Sequence, residues 1–145
     1  MEPYRHILCA TDLSEAGETA ATRAADLSQR HGAKLTLLHV IEHFPEDEPG
    51  DKIAPENTDL TGFLTKDARD ELARLAQRLD RENVEQRVVA STGAAKQGIL
   101  RYAQEAGVDL IVLGGRGSHV MPGLFGSTEG GVLSAAACDV LVVHR

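Results

Sequence analysis

Five short apolar runs, each separated from the next by an amphipathic stretch, leave this chain few folds to choose from. The runs are HILCA (6–10), KLTLLHVI (34–41), EQRVVAS (85–91), VDLIVLG (108–114) and DVLVVHR (139–145). Three of them are nearly continuous in Val, Ile and Leu, as in strands covered on both faces. The intervening segments carry helical periodicity. Residues 14–31 set Ala20, Ala24, Leu27 and His31 on one stripe, with Ala21, Ala25 and Ser28 beside it. Ser14 suits the start of that helix and Gly32 its end. Residues 62–82 align Leu64, Ala68, Leu72, Leu75, Ala76 and Leu79, one apolar face with charges opposite. Residues 95–106 turn Ile99, Tyr102, Ala103 and Ala106 inward, and a last helix spans about 127–137. Strict alternation of strand and helix demands crossover connections, hence a parallel sheet with helices on both faces. At 145 residues, a single domain over 1–145 is expected.

The net charge of −7 disfavours a general nucleic-acid surface. Nearly all of it lies in residues 42–59, where seven acids face the single base Lys52 and three of the five prolines fall. That segment reads as a long, mobile, solvated connection. Elsewhere the chain is almost neutral, so a local phosphate site is permitted. No apolar run approaches the roughly 18 residues of a membrane span, and the N-terminus does not read as a signal peptide. Cys9 and Cys138 lie in or beside apolar runs, which suits packing thiols in a reducing, cytoplasmic compartment.

In a sheet of this kind ligands bind beyond the carboxyl ends of the strands. Thr11 and Asp12 follow the first strand, Val40 is near the end of the second, and a glycine-rich loop follows the fourth. The loop runs from Gly114 through Gly115, Gly117 and Gly123 to Gly126, Ser127 and Thr128. The last three would stand at a helix N-terminus, where free N–H donors and the helix dipole favour phosphate. A turn with a simple helix cap is the other reading. The P-loop pattern, a glycine fingerprint after the first strand, paired metal-ligand motifs and the G-x-S-x-G elbow are all missing. His39 reads as a hydrogen-bonded structural residue. Arg116 and His119 are the cations within the loop, placed either for phosphate or for solvent. Glu129 suits either a metal or the first turn of a helix, and no metal site is assigned.

The pieces HILCATDLSE, GAKLTLLHVIE, GVDLIVLGGRG and LFGSTEGGVLSAAACDVLVV, in this order and spacing, resemble the universal stress protein family over essentially the whole chain. The resemblance implies a Rossmann-like fold of the nucleotide-binding alpha-hydrolase type, five parallel strands in the order 3-2-1-4-5, with 42–59 as the variable loop. It also implies a homodimer, which the last strand (139–143) would form as an edge of the sheet. The family's ATP-binding branch carries G-x-x-G, nine residues, then G-[S/T]. Gly114 and Gly117 match the first part and Gly126-Ser127 the last, but only eight residues, Ser118 to Phe125, lie between.

Position by position, the resemblance puts adenine near Ala10, Val40 and Leu113. Asp12 would face the ribose or hold a metal through water, although a turn residue bonded to the first helix is an equal reading. Gly114 would let the backbone pass close to the sugar, and Gly117, Gly126, Ser127 and Thr128 would hold the phosphates. The function implied is a stress-response signalling module that binds ATP, with Mg2+ as a possible companion, and catalyses at most slow hydrolysis. Two other readings stand beside it. One is a nucleotide-free dimer acting through an unidentified protein partner. The weaker one is an adenylyl-transferring enzyme, whose S-G-G-x-D-S or H-x-G-H elements the chain lacks.

Overall fold

The computed structural model describes residues 2–43, 55–92, 94–115 and 131–144, the side chains of residues 43, 55–64 and 92 excepted. Five strands form one sheet: β1 (His6–Ala10), β2 (Lys34–His43), β3 (Glu85–Thr92), β4 (Leu110–Gly114) and β5 (Asp139–Val143). Their order is β3-β2-β1-β4-β5, and every pairing is parallel. The connections are α1 (Glu15–His31), α2 (Pro55–Arg78) and α3 (Ala95–Ala106), with a further helical turn at 131–135 before β5.

The side-chain alternation of the strands divides the core in two. Ile7, Cys9, Leu35, Leu37 and Val112 pack with α1, with Leu72 and Leu75 of α2, and with Leu79 just beyond its end. Leu8, Ala10, Leu38, Val40, Ile111 and Leu113 face Ile99 and Ala103 of α3, together with Val132. The small stripe Ala20, Ala21, Ala24 and Ala25 is buried, so α1 lies close against the sheet. Ser28 is buried among them and bonds back to the Ala25 carbonyl at 2.8 Å, which satisfies its hydroxyl inside the helix.

The helix ends follow the expected chemistry. The Ser14 side chain accepts from Gly17 N–H at 3.3 Å. Gly32 and Gly107 both adopt left-handed backbone, with φ of +65° and +70°. The next residue then returns to the last turn, Ala33 N–H to Ser28 O at 2.8 Å and Val108 N–H to Ala103 O at 2.9 Å. These are matching Schellman closures.

Several boundaries differ from the sequence reading. The second helix begins at Pro55, well before residue 62, and ends at Arg78. Proline lacks only an N–H that the first helical turn cannot use, and its fixed φ suits a helix start. The supposed connection 42–59 therefore shrinks at both ends, since β2 also runs on to His43; its remainder, 44–54, lies outside the described residues. The fourth strand starts at Leu110 instead of 108, because Val108 is taken up in closing α3 and Asp109 in accepting the backbone N–H groups of Arg5 and His6 at 2.9 and 3.0 Å. The fifth strand ends at Val143. Ala106, placed inward by periodicity, is exposed at the last turn of α3, and Leu64 lies among the undescribed side chains. Residues 127–130 of the last predicted helix are outside the described set.

Candidate functional site

The described part of the site is built on the carboxyl ends of β1, β2 and β4. Ala10, Val40 and Leu113 belong to one apolar cluster on the α3 face, and Ala10 pairs directly with Leu113 across the sheet. Each is at least nine-tenths buried, so the strand ends offer only a narrow apolar edge. Thr11 extends the β1 pairing through its N–H to Leu38 O at 2.9 Å. Its hydroxyl accepts from Leu13 N–H at 3.0 Å. Its carbonyl takes a hydrogen bond from His39 Nδ1 at 2.9 Å. A carbonyl only accepts, so Nδ1 of His39 carries the hydrogen; the ring braces the β1–α1 turn, as its structural reading requires.

Asp12 is exposed at the start of that turn. Its Oδ1 accepts from both the backbone and the hydroxyl of Ser14, an Asx turn that leads into the helix cap. Asp12 thus shapes the turn, and its exposure leaves the carboxylate accessible to a ligand. Leu13 holds a left-handed φ of +67°, an uncommon strain for a branched side chain. The Leu13 N–H bond to the Thr11 hydroxyl and the Ser14 bonds to the Asp12 carboxylate keep it there.

Close glycines fix the walls. A Cβ on Gly114 would stand 2.6 Å from the carbonyl oxygen of Ala16, so this glycine lets the start of α1 press against the end of β4. Gly17 meets the Thr11 hydroxyl in the same way. Gly98 of α3 lies under Val40, where a Cβ would be 2.8 Å from Val40 Cγ1. Among the predicted site residues, Ala10, Asp12, Val40, Leu113 and Gly114 are therefore gathered at one end of the sheet. Gly117, Gly126, Ser127 and Thr128 lie outside the described residues, as do Arg116, His119 and Glu129.

Periodicity did not reveal two contacts and a groove near this end. Ala94 precedes α3 without a capping side chain, and Glu42 of β2 supplies the cap, its Oε2 accepting from Ala95 N–H at 2.7 Å. The pairing of Glu42 with Ser91 is what carries it there, and no local spacing encodes that. The stem of Lys96 crosses Gly131, bringing a cation from α3 against the helical turn that follows the glycine-rich loop. A groove of about 350 Å³ between β3 and α3, lined by Val89, Ser91, Gly98, Arg101 and Tyr102 among others, includes no predicted site residue.

The thiols behave as packing groups. Cys9 is fully buried and free, and burial pushes its pKa up to about 12. Cys138 is half-buried, and burial with the nearby Asp139 and Asp109 raises its pKa as well. Among the described residues no group of three or more His, Cys, Asp or Glu side chains could hold a metal ion, and no helix is long and apolar enough to cross a membrane.

A five-stranded parallel sheet in the order 3-2-1-4-5, with the site residues at the carboxyl ends of β1, β2 and β4, defines a doubly wound α/β protein of the Rossmann-like type. The universal stress protein family profile matches residues 3–144, and the chain belongs to that family. It is 34% identical to universal stress protein A homolog 1 of Coxiella burnetii over 140 residues, 97% of this chain and 96% of that protein. Among solved structures it is similar to universal stress protein UspA from Lactobacillus plantarum, with 30% identity, a TM-score of 0.72 and 99% of each chain covered. A universal stress protein solved in complex with cAMP matches with 26% identity, a TM-score of 0.66 and 99% of each chain.

Proposed function

We propose that this protein is a cytoplasmic stress-response module that binds an adenine nucleotide, ATP in the first place, and acts through binding rather than catalysis. The observation that carries the reading is the gathering of Ala10, Val40, Leu113, Gly114 and the exposed Asp12 at the carboxyl end of the sheet. The likeness to a family member solved with cAMP supports it. Adenine would rest on the apolar edge of Ala10, Val40 and Leu113, and the Asp12 carboxylate would accept from the ribose hydroxyls. Gly117, Gly126, Ser127 and Thr128 would give N–H and hydroxyl donors to the phosphates. Mg2+ would arrive with the phosphates and reach Asp12 through water. Free, proton-bearing thiols at Cys9 and Cys138 suit a reducing compartment.

The protein would work as a homodimer through β5, residues 139–143. A nucleotide-free dimer acting on a protein partner is the second reading, favoured by the eight-residue spacing between Gly117 and Gly126.

Mass spectrometry of small molecules released from the freshly purified protein identifies the ligand. Calorimetry with ATP on wild type and Gly126→Asp tests the phosphate end. A charge-assisted contact is worth about 1.5–3 kcal/mol, so the variant should bind ten- to a hundredfold more weakly. A wild type that gives no heat at millimolar ATP overturns the nucleotide reading and leaves the second one.

A further inference from the structure

The opposite end of the sheet holds a buried polar chain that the nucleotide reading does not use. His6 opens β1, Thr36 follows the start of β2, and Glu85 opens β3. His6 and Thr36 are buried, Thr36 completely. His6 Nδ1 lies 3.3 Å from the Ala106 carbonyl at the end of α3. His6 Nε2 lies 2.8 Å from Thr36 Oγ1, and Thr36 Oγ1 lies 3.0 Å from Glu85 Oε1. Tyr102 of α3 adds its hydroxyl to the same Glu85 oxygen at 3.1 Å.

With a neutral imidazole and an ionised carboxylate, the hydrogens do not suffice for these contacts. Three links run from the Ala106 carbonyl to the Glu85 carboxylate, and each needs one hydrogen. A neutral imidazole brings one, the threonine hydroxyl one and an ionised carboxylate none. If Nδ1–H serves Ala106, Nε2 must accept from Thr36, and the Thr36 and Glu85 oxygens then face each other without a hydrogen. If Thr36 donates to Glu85, Nε2 must carry the hydrogen, and Nδ1 then confronts a carbonyl. One more proton satisfies every link, either on the imidazole or on the carboxyl group.

We propose that His6, Thr36 and Glu85 form a proton-operated latch that takes up one proton and thereby ties the C-terminal end of α3 to the start of the sheet. The proton belongs to the chain of groups rather than to one residue. The surroundings set the range. Burial resists charge on the His6 ring, and Lys34 of β2 adds to that; the Ala106 carbonyl, Glu85 and Asp109 at the head of β4 favour it. Burial is the largest of these, so uptake falls on the acid side of histidine's usual range. Arg87 and Lys34 hold the other Glu85 oxygen at 3.2 and 3.5 Å, and Glu105 of α3 is paired with Arg101. At neutral pH one link stands open; mild acid closes it.

The test follows the His6 ring nitrogens by NMR from pH 4 to 8 in the full chain, together with hydrogen exchange at Gly107 and Val108, corrected for intrinsic rate. In wild type the His6 transition should coincide with a rise in protection at these two amides. Glu85→Gln supplies the missing hydrogen permanently through its amide, so His6 should hold its proton at least tenfold more weakly and the protection should lose its pH dependence. Thr36→Val cuts the chain and should also weaken proton uptake by tenfold or more, without the constant protection expected of Glu85→Gln. His6 midpoints within a factor of two in wild type and Glu85→Gln, or protection that ignores the His6 transition, would overturn the latch. Glu85 is only half-buried at an edge strand, so its variant answers the question even if Thr36→Val does not fold.

Discussion

Gly114 at the end of β4 and Ala16 in the first turn of α1 are in backbone contact: a Cβ on the glycine would stand 2.6 Å from the Ala16 carbonyl oxygen and 2.9 Å from its carbon. A side chain at 114 must therefore displace main chain, and the displacement would spread into the Asp12 turn that α1 begins from. Gly114→Ala is expected to lose about 1–3 kcal/mol by the overpacking scale, read as a lower denaturation midpoint in urea. Nucleotide affinity should fall with it. A midpoint equal to wild type would mean that α1 yields freely, and that the glycine is there for the ligand instead.

Gly98 and Val40 make a second contact of this kind on the other face of the sheet. Alanine usually gains about 1 kcal/mol over glycine inside a helix. Here the new methyl would lie 2.8 Å from Val40 Cγ1, and Val40 is fixed among Leu38, Ile99 and Leu113. Gly98→Ala should thus destabilise despite its better propensity. Val40→Ala alone removes buried methyl groups and should also destabilise. Together the two should cost less than the sum, by about 0.5 kcal/mol or more in a double-mutant cycle. Simple additivity would show that α3 is not held against Val40.

The sheet, its order of elements and both layers of the core are legible because strand and helix periodicities differ so clearly. Leu72, Leu75 and Leu79 are buried as their spacing requires, and Ser14, Gly32 and Gly107 end their helices by local chemistry alone. The order 3-2-1-4-5 comes from family resemblance, since no residue pattern states which strand lies beside which. Periodicity misleads where one residue type serves two purposes. Pro55 reads as a breaker although it starts a helix, and Val108 reads as strand although it closes one. The Asp12 turn can be read from its own sequence. The Glu42 cap on α3 cannot, because it joins groups 53 residues apart. The phosphate end rests on the resemblance, and the described residues do not reach it.

Burial of Cys9 makes the alkaline side of stability predictable. Its thiol pKa is pushed up to about 12 from an ordinary 9.0. Between those values the unfolded chain has released the proton and the folded chain retains it, so folding stability declines as pH rises. The urea midpoint should therefore drop from about pH 8 to about pH 10.5 more steeply in wild type than in Cys9→Ala. Thiol reagents should label Cys138 first and Cys9 only upon unfolding. Equal slopes in the two proteins, or early labelling at Cys9, would contradict the buried thiol.

The outer edge of β5 provides the test of assembly. Gly115 N–H donates to the Val143 carbonyl at 2.6 Å, so Val143 turns its peptide groups toward β4. Successive residues alternate, and Val140 and Val142 therefore present theirs to the open side. Both side chains are half-buried, and Leu133 on the preceding helical turn is 50% exposed. An edge of this kind, apolar and without a strand partner among the described residues, is suited to meeting a copy of itself across a two-fold axis. Val142→Pro removes one outward N–H and leaves the β4 pairing intact, a position where an edge strand accepts proline. Light scattering at micromolar concentration should show a dimer for wild type and a monomer for Val142→Pro, with both retaining the same far-UV circular dichroism. A wild-type monomer, or a dimer that Val142→Pro leaves unchanged, would place the interface elsewhere or remove it.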